Sequence, residues 1–366
     1  MSDGIYSPYK AALYPKHIAS VAGRGRHQAP VHVQVIISDL CNQDCHFCAY
    51  RMTGNVSNQL FGRPDDHGRI NPNRKIPTAK AKEILHDCAK MGVEAIQFTG
   101  GGEPTVHPDH LELFQLTADL GLSWSLVTNG TLMGHELQDA LVESASWVRV
   151  SLDSGTPESY ASVRNTAASG FDKVIANLAS LSAKKRGAGS SLEIGVGFVV
   201  TPENWHDVKL AAQAAKDARA DNIRLSAMFS QDGEHPYDEI HEECAALCRE
   251  AETLSDESFT VINRFGDRIQ DLRLHSPDYD ICGYQHFTTY IGGDLSVYRC
   301  CNTAYNTRGL LGSLDGQSFF DLWFSDDVIR SFTAFDPRGC ERCQFNGINR
   351  FIDSMASIPR DHAGFV

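Results

Sequence analysis

Short apolar runs alternate with amphipathic helical stripes from Val31 to Ser226, and no other feature of the chain restricts its fold so strongly. Val31, Val33, Val35 and Ile37 alternate on one face and end at Asp39, so a strand delivers the chain to Cys41. Residues 95–99, 123–128, 147–152, 194–200 and 222–226 read as five further strands. Pro77-Thr78 opens a helix with the stripe Ala81, Ile84, Leu85 and Cys88, closed by Gly92, and another helix runs around Pro108 to Leu120. Asn204, with Asp207 three residues on, caps the stripe Val208, Ala211, Ala212 and Ala215. Strands alternating with helices predict a parallel sheet. The fold class is therefore α/β, a partial (β/α)6 TIM-like barrel with functional groups at the carboxyl ends of its strands.

The chain has 366 residues, 42% of them hydrophobic and 22% charged, enough for one large domain with an appendage and too apolar for a disordered chain. Four parts are expected: an N-terminal segment over 1–30 without clear periodicity, the barrel over 31–235, a bridging segment over 236–280 that is helical over 237–254, and a second module over 281–366. A formal net charge of −13 argues against duplex nucleic acid as a partner. No apolar run approaches the roughly 20 residues of a membrane span, and the first residues carry no secretory pattern, which predicts no membrane contact and a cytoplasmic location. The polar stretch from Met52 to Arg74 reads as an insertion. Its Asn55, Ser57, Asn58 and Gln59 suit either a hydroxyl-rich ligand or a solvated loop.

Eleven cysteines in a chain expected to stay reduced point to metal or redox chemistry. Cys41, Cys45 and Cys48 lie in one tight C-x3-C-x2-C loop after the first strand, with no fourth cysteine nearby. A closed zinc site wants four ligands, whereas three thiolates leave a metal position open.

This loop, with Phe47 before its last cysteine, resembles the signature of the radical S-adenosylmethionine (SAM) superfamily, as does Gly100-Gly101-Gly102-Glu103 after the second strand. The resemblance implies a 4Fe–4S cluster on Cys41, Cys45 and Cys48 that chelates SAM. It further implies Gly101, Gly102 and Glu103 at the methionyl ammonium, Ser151 and Asp153 at the ribose or carboxylate, Arg164 at the methionyl carboxylate, and Val199 beside the adenine. Phe47 joins the same cofactor pocket.

Cys282 and Cys300 flank a hairpin-like stretch, and the C-x2-C pair Cys340 and Cys343 completes a second set of four thiols. Spaced cysteine pairs at a hairpin also serve zinc ribbons. The spacing, with Leu310 to Asp315 and Asp321 to Trp323, resembles the SPASM/twitch extension of radical SAM enzymes and implies an auxiliary 4Fe–4S cluster with four protein ligands. Cys88, Cys244 and Cys248 sit on apolar helical stripes and read as core. Cys301 is either a bystander or a catalytic donor of a hydrogen atom to a substrate radical.

By this resemblance the protein is an enzyme in which a 5′-deoxyadenosyl radical takes hydrogen from an unactivated carbon, served by an electron donor such as flavodoxin or ferredoxin. Oxidation of a sugar- or cyclitol-like metabolite in natural-product biosynthesis is the leading expectation. Maturation of a ribosomally made peptide and redox-neutral epimerisation of a carbohydrate are the alternatives, so the expected substrate is a small molecule or a peptide.

Overall fold

The computed structural model describes residues 7–52, 59–61, 74–230, 232–359 and 361. Its strands are β1 (His32–Val35), β2 (Ala95–Phe98), β3 (Ser123–Thr128), β4 (Trp147–Ser151), β5 (Glu193–Val200), β6 (Asn222–Ala227), β7 (Thr260–Asn263), β8 (Thr288–Ile291), β9 (Ser296–Tyr298) and β10 (Leu310–Ser313). All join one sheet in the order β10-β9-β8-β1-β2-β3-β4-β5-β6-β7. From β1 to β6 each strand pairs in parallel with the next, as the strand-helix alternation predicts. The helices Thr78–Met91, His110–Asp119, His135–Ser144, Ser169–Ala188 and Val208–Asp217 bury their apolar stripes against the outer face of this sheet. Cys88, Cys244 and Cys248 are fully buried in the same core.

The sheet extends further at both edges than the sequence pattern indicates. Thr260–Asn263, inside the segment expected to bridge, is a strand parallel to β6, followed by the helix Phe265–Arg273. Four residues are too few to establish a period, so β7 is stabilised by its neighbour rather than announced by its own alternation. At the other edge β8 pairs in parallel with β1, His32 facing Thr288 and Val35 facing Ile291. The hairpin expected between Cys282 and Cys300 forms from β8 and β9, antiparallel, with Tyr290 opposite Tyr298. The hairpin between Cys282 and Cys300 is thereby hydrogen-bonded directly to β1, the strand that leads to the first cysteine loop.

The N-terminal segment, without period in the sequence, folds into a helix at Pro15–Val21 that packs with the final helix Asn346–Ala356 around Ala11, Val21, Phe287 and Ile352. Seven residues span two turns, too short for a stripe to be read. Its Tyr14 hydroxyl donates to Glu94 Oε2 at 2.7 Å just before β2. Among the described residues no helix is long and apolar enough to cross a membrane.

Candidate active site

The cysteine loop leaves β1 along a path that only glycine permits. A Cβ on Gly102 would lie 2.3 Å from the Leu40 carbonyl oxygen, and one on Gly101 2.8 Å from Asp39 Oδ1. The Gly102 N–H donates to Ser38 O at 3.1 Å and the Glu103 N–H to Leu40 O at 3.0 Å. The glycine motif after β2 therefore clamps the lead-in to Cys41, a role that the sequence alone does not reveal. Asp39, fully buried, accepts from Arg74 Nε at 2.9 Å and from the Tyr305 hydroxyl. Burial pushes its carboxyl up to about 6 against the pull of Arg74.

Glu103 is buried with both carboxylate oxygens engaged. Oε1 accepts from Thr105 N at 3.1 Å, Thr105 Oγ1 at 2.7 Å and Thr128 Oγ1 at 2.7 Å, and Oε2 accepts from Asn129 N at 2.7 Å. A ligand ammonium at Glu103 would share these bonds. Asn129, at the end of β3, donates from Nδ2 to Asn42 Oδ1 at 2.7 Å and lies 4.0 Å from Cys41 Sγ. It belongs to the site, and its only sequence signal is an Asn-Gly pair after a strand, which also marks an ordinary turn.

Asp153 and Arg164, expected to hold separate parts of SAM, are paired with one another in the interior. Asp153 Oδ1 accepts from Val199 N at 2.5 Å, and its carbonyl accepts from Asn204 Nδ2 at 2.9 Å. These bonds hold Asp153 at φ 54, a left-handed conformation unfavourable to a residue with a Cβ. Arg164 also donates to the Ser151 carbonyl, to Gln43 Oε1 at 3.2 Å and to Cys45 Sγ at 3.4 Å, with its guanidinium 5.9 Å from the Phe47 ring centre. Ser151, Asp153 and Val199 face a cavity of about 1640 Å³ inside the barrel. Seven of the eight expected cofactor residues thus stand around the cysteine loop or the cavity beside it, and Gly101 packs against Asp39 behind the loop.

Burial pushes the Cys41 thiol up to about 12 and raises Cys48, while Arg51 pulls both down. Buried thiols become thiolates once a cationic centre binds them. Three free thiols in one loop, with Arg164 and Asn129 aimed at two of the sulfurs, fit the donor set of a three-cysteine iron–sulfur site.

Cys282, Cys300, Cys340 and Cys343 are free thiols, and burial raises all four, Cys343 to about 12. Cys300 acts electrostatically on both Cys282 and Cys343, and Cys340 acts on Cys282, Cys300 and Cys343, so the four share one neighbourhood. Cys343 Sγ accepts from the Phe345 N–H at 3.3 Å and lies 3.9 Å from Asn349 Nδ2, contacts of the kind that tune cluster sulfurs. The donors missed from sequence, the backbone of Phe345 and the side chain of Asn349, follow the C-x2-C pair by two and six residues. Cys301 points differently. Its Sγ accepts from Gln344 Nε2 at 3.5 Å and faces the barrel cavity. Tyr50, from the first cysteine loop, lines the same cavity and packs against buried Tyr290 and Tyr305. Of the polar insertion, Asn55, Ser57 and Asn58 lie outside the described residues, and Gln59 Oε1 accepts from Thr307 N at 3.0 Å. Among the described residues no three His, Cys, Asp or Glu side chains are grouped about a single metal ion position.

Residues 35–215 match the model of the radical SAM superfamily. The chain's barrel belongs to the radical SAM superfamily. This radical SAM barrel is 26% identical over 181 residues to an AdoMet-dependent heme synthase of Methanosarcina barkeri, a match that covers 49% of the chain and only 45% of that relative. A longer match reaches the PqqA peptide cyclase of Xanthomonas euvesicatoria pv. vesicatoria, 26% identical over 287 residues and covering 74% of the chain and 72% of the relative. In fold the radical SAM chain is similar to Streptococcus suis SuiB bound to precursor peptide SuiA, with a TM-score of 0.63 over 95% of this chain and 77% of that one at 14% identity. The likeness extends past the barrel into the cysteine-rich C-terminal part.

Proposed function

We propose that this chain is a cytoplasmic radical SAM oxidoreductase that acts on a peptide substrate bound in the barrel cavity. In this reading the parts are the N-terminal segment 1–30, barrel 31–235, bridge 236–280 and a twitch/SPASM-like module 281–366. Cys41, Cys45 and Cys48 would hold one 4Fe–4S cluster with SAM, and Cys282, Cys300, Cys340 and Cys343 an auxiliary one. When bound, the first cluster with SAM would supply removal of a hydrogen atom from an unactivated carbon, and the auxiliary cluster would accept the remaining electron. The electron donor is of the flavodoxin or ferredoxin class.

The chain's own residues do the positioning. Arg164 and Asn129 hold donors against the sulfurs of Cys45 and Cys41. The Asp153 to Val199 bond fixes the ends of β4 and β5 at the cavity wall. The barrel encloses the reacting carbon and keeps water from it.

One observation carries the reading: Tyr50, just after the first cysteine loop, and Cys301, beside the second cysteine set, line the same cavity. Tyr50 and Cys301 pack against one cluster, so a substrate on this wall would be within reach of both the group that removes hydrogen and the group suited to accept an electron. The peptide assignment rests on the PqqA peptide cyclase match, which spans about three quarters of both chains. Oxidation of a sugar or cyclitol, first on sequence alone, is favoured by a different observation, the hydroxyl and amide groups of Gln34, Gln97, Ser125 and Ser226 on the cavity wall.

Mass spectrometry of anaerobic turnover with short peptides encoded beside the gene tests the proposal. The expected product is lighter by two hydrogens, with a single SAM consumed per turnover and no solvent deuterium at the reacting carbon. A product of unchanged composition carrying one solvent deuterium, lost in Cys301→Ala, contradicts oxidation and selects epimerisation. Oxidation of a cyclitol with every peptide left intact selects the metabolite reading.

A further inference from the structure

The cavity has a charge opposite to that of the molecule. The chain carries −13 overall, yet seven Lys and Arg side chains against four Asp and Glu line the cavity. A guanidinium withdrawn from water is costly unless an anion meets it.

Two arginines stand on the side of the cavity that carries Cys301. Arg224 lies on β6, in register with Gly197 of β5, and Arg268 lies on the helix Phe265–Arg273 that follows β7. Strand β5 presents Gly195 and Gly197 where its neighbours present Arg149 and Arg224. A Cβ at Gly197 would come within 3.3 Å of Arg149 Cδ, so glycine here leaves the arginine side chains their room.

Arg268 is the less compensated of the pair on the cavity's Cys301 side. Its side chain is 17% exposed, and its ion pair with Asp271 is long, 3.4 Å from Nη1 to Oδ2. Asp271 divides its charge, accepting from Asn346 Nδ2 at 3.0 Å through its other oxygen. Among the described residues the Arg268 Nε has no hydrogen-bond partner. Burial and the like charge of Arg224 both disfavour the Arg268 cation, and Asp271, Cys301 and Cys343 only partly offset them.

We propose that Arg268, with Arg224 beside it, receives a carboxylate of the substrate, so that the enzyme acts on an acidic residue or on a carbon close to one. A planar guanidinium suits a carboxylate because both can meet through two parallel hydrogen bonds. The site sits on the wall shared with Cys301, so a carboxylate held there places its neighbouring carbons in the cavity centre. This inference rests on the reading of the cavity as the substrate site.

Calorimetric titration of the anaerobically reconstituted protein tests it at fixed ionic strength, with N-acetylglutamic acid amide, its neutral isostere N-acetylglutamine amide, and inorganic phosphate as probes. The acidic probe should bind about tenfold or more tighter than the neutral one, as a charge-assisted bond implies. Arg268→Gln should erase that preference, and Arg268→Lys should keep part of it. Equal affinity for the two organic probes in the unsubstituted protein, or no binding of either, overturns the proposal without recourse to any variant. Phosphate binding more tightly than the acidic probe overturns the carboxylate assignment. SAM cleavage by the unsubstituted protein is a separate readout: its absence would sink the radical SAM enzyme reading while a retained acidic preference would leave the anion site standing.

Discussion

Glu103 ties several segments of this barrel together through one buried carboxylate. Its carboxylate ties the end of β2 to Thr128 and Asn129 at the end of β3, and Asn129 in turn reaches toward Cys41. The motif identifies Glu103 from sequence, but the clamp of Gly101 and Gly102 onto Asp39 and Leu40 is a contact between segments 60 residues apart and leaves no local pattern. Asn129, Asp39 and Arg268 were invisible for the same reason: an Asn before Gly reads as a turn, and a lone Asp or Arg reads as surface until the fold buries it. Glu103→Gln keeps the shape and removes the charge. It is expected to weaken SAM binding by roughly 1.5 to 3 kcal/mol, about one to two orders of magnitude, in a calorimetric titration. Unchanged affinity would show that the carboxylate has only a structural part.

At the scale of elements, β1 to β6 are legible because each is an apolar run set between helical stripes of a different period. The edge strands are not, because β7 is short and the parallel pairing of β8 with β1 joins segments some 250 residues apart in sequence, which no periodicity records. That pairing is reinforced by Tyr305, whose hydroxyl donates to Asp39 at the end of β1 and accepts from the Gly293 N–H at 3.2 Å in the β8–β9 turn. Tyr305→Phe removes both bonds and leaves Asp39 with Arg74 alone. Because these groups are buried, the change is expected to lower unfolding stability by about 1 to 3 kcal/mol, read as a shift in denaturant midpoint. An unmoved midpoint would mean that the two cysteine groups are held together by the β1–β8 ladder without this latch.

The whole molecule joins two sets of cysteines through one continuous sheet, with a cavity lined by Tyr50 and Cys301 that is basic in an acidic chain. Spacing made the first set readable because Cys41, Cys45 and Cys48 share one short loop, and the second because a hairpin separates Cys282 from Cys300 and Cys340 and Cys343 form a C-x2-C pair; the cavity is a property of many strands at once and leaves no such pattern. In the proposed enzyme the first set works with SAM and the second is a separate iron–sulfur site. Iron content and SAM cleavage, measured on anaerobically reconstituted protein and on a variant with Cys41, Cys45 and Cys48 all changed to Ala, test it most directly. About eight irons are expected in the unsubstituted protein, about half of them in the variant, and cleavage in the first only. Retained SAM cleavage in the triple variant would contradict it.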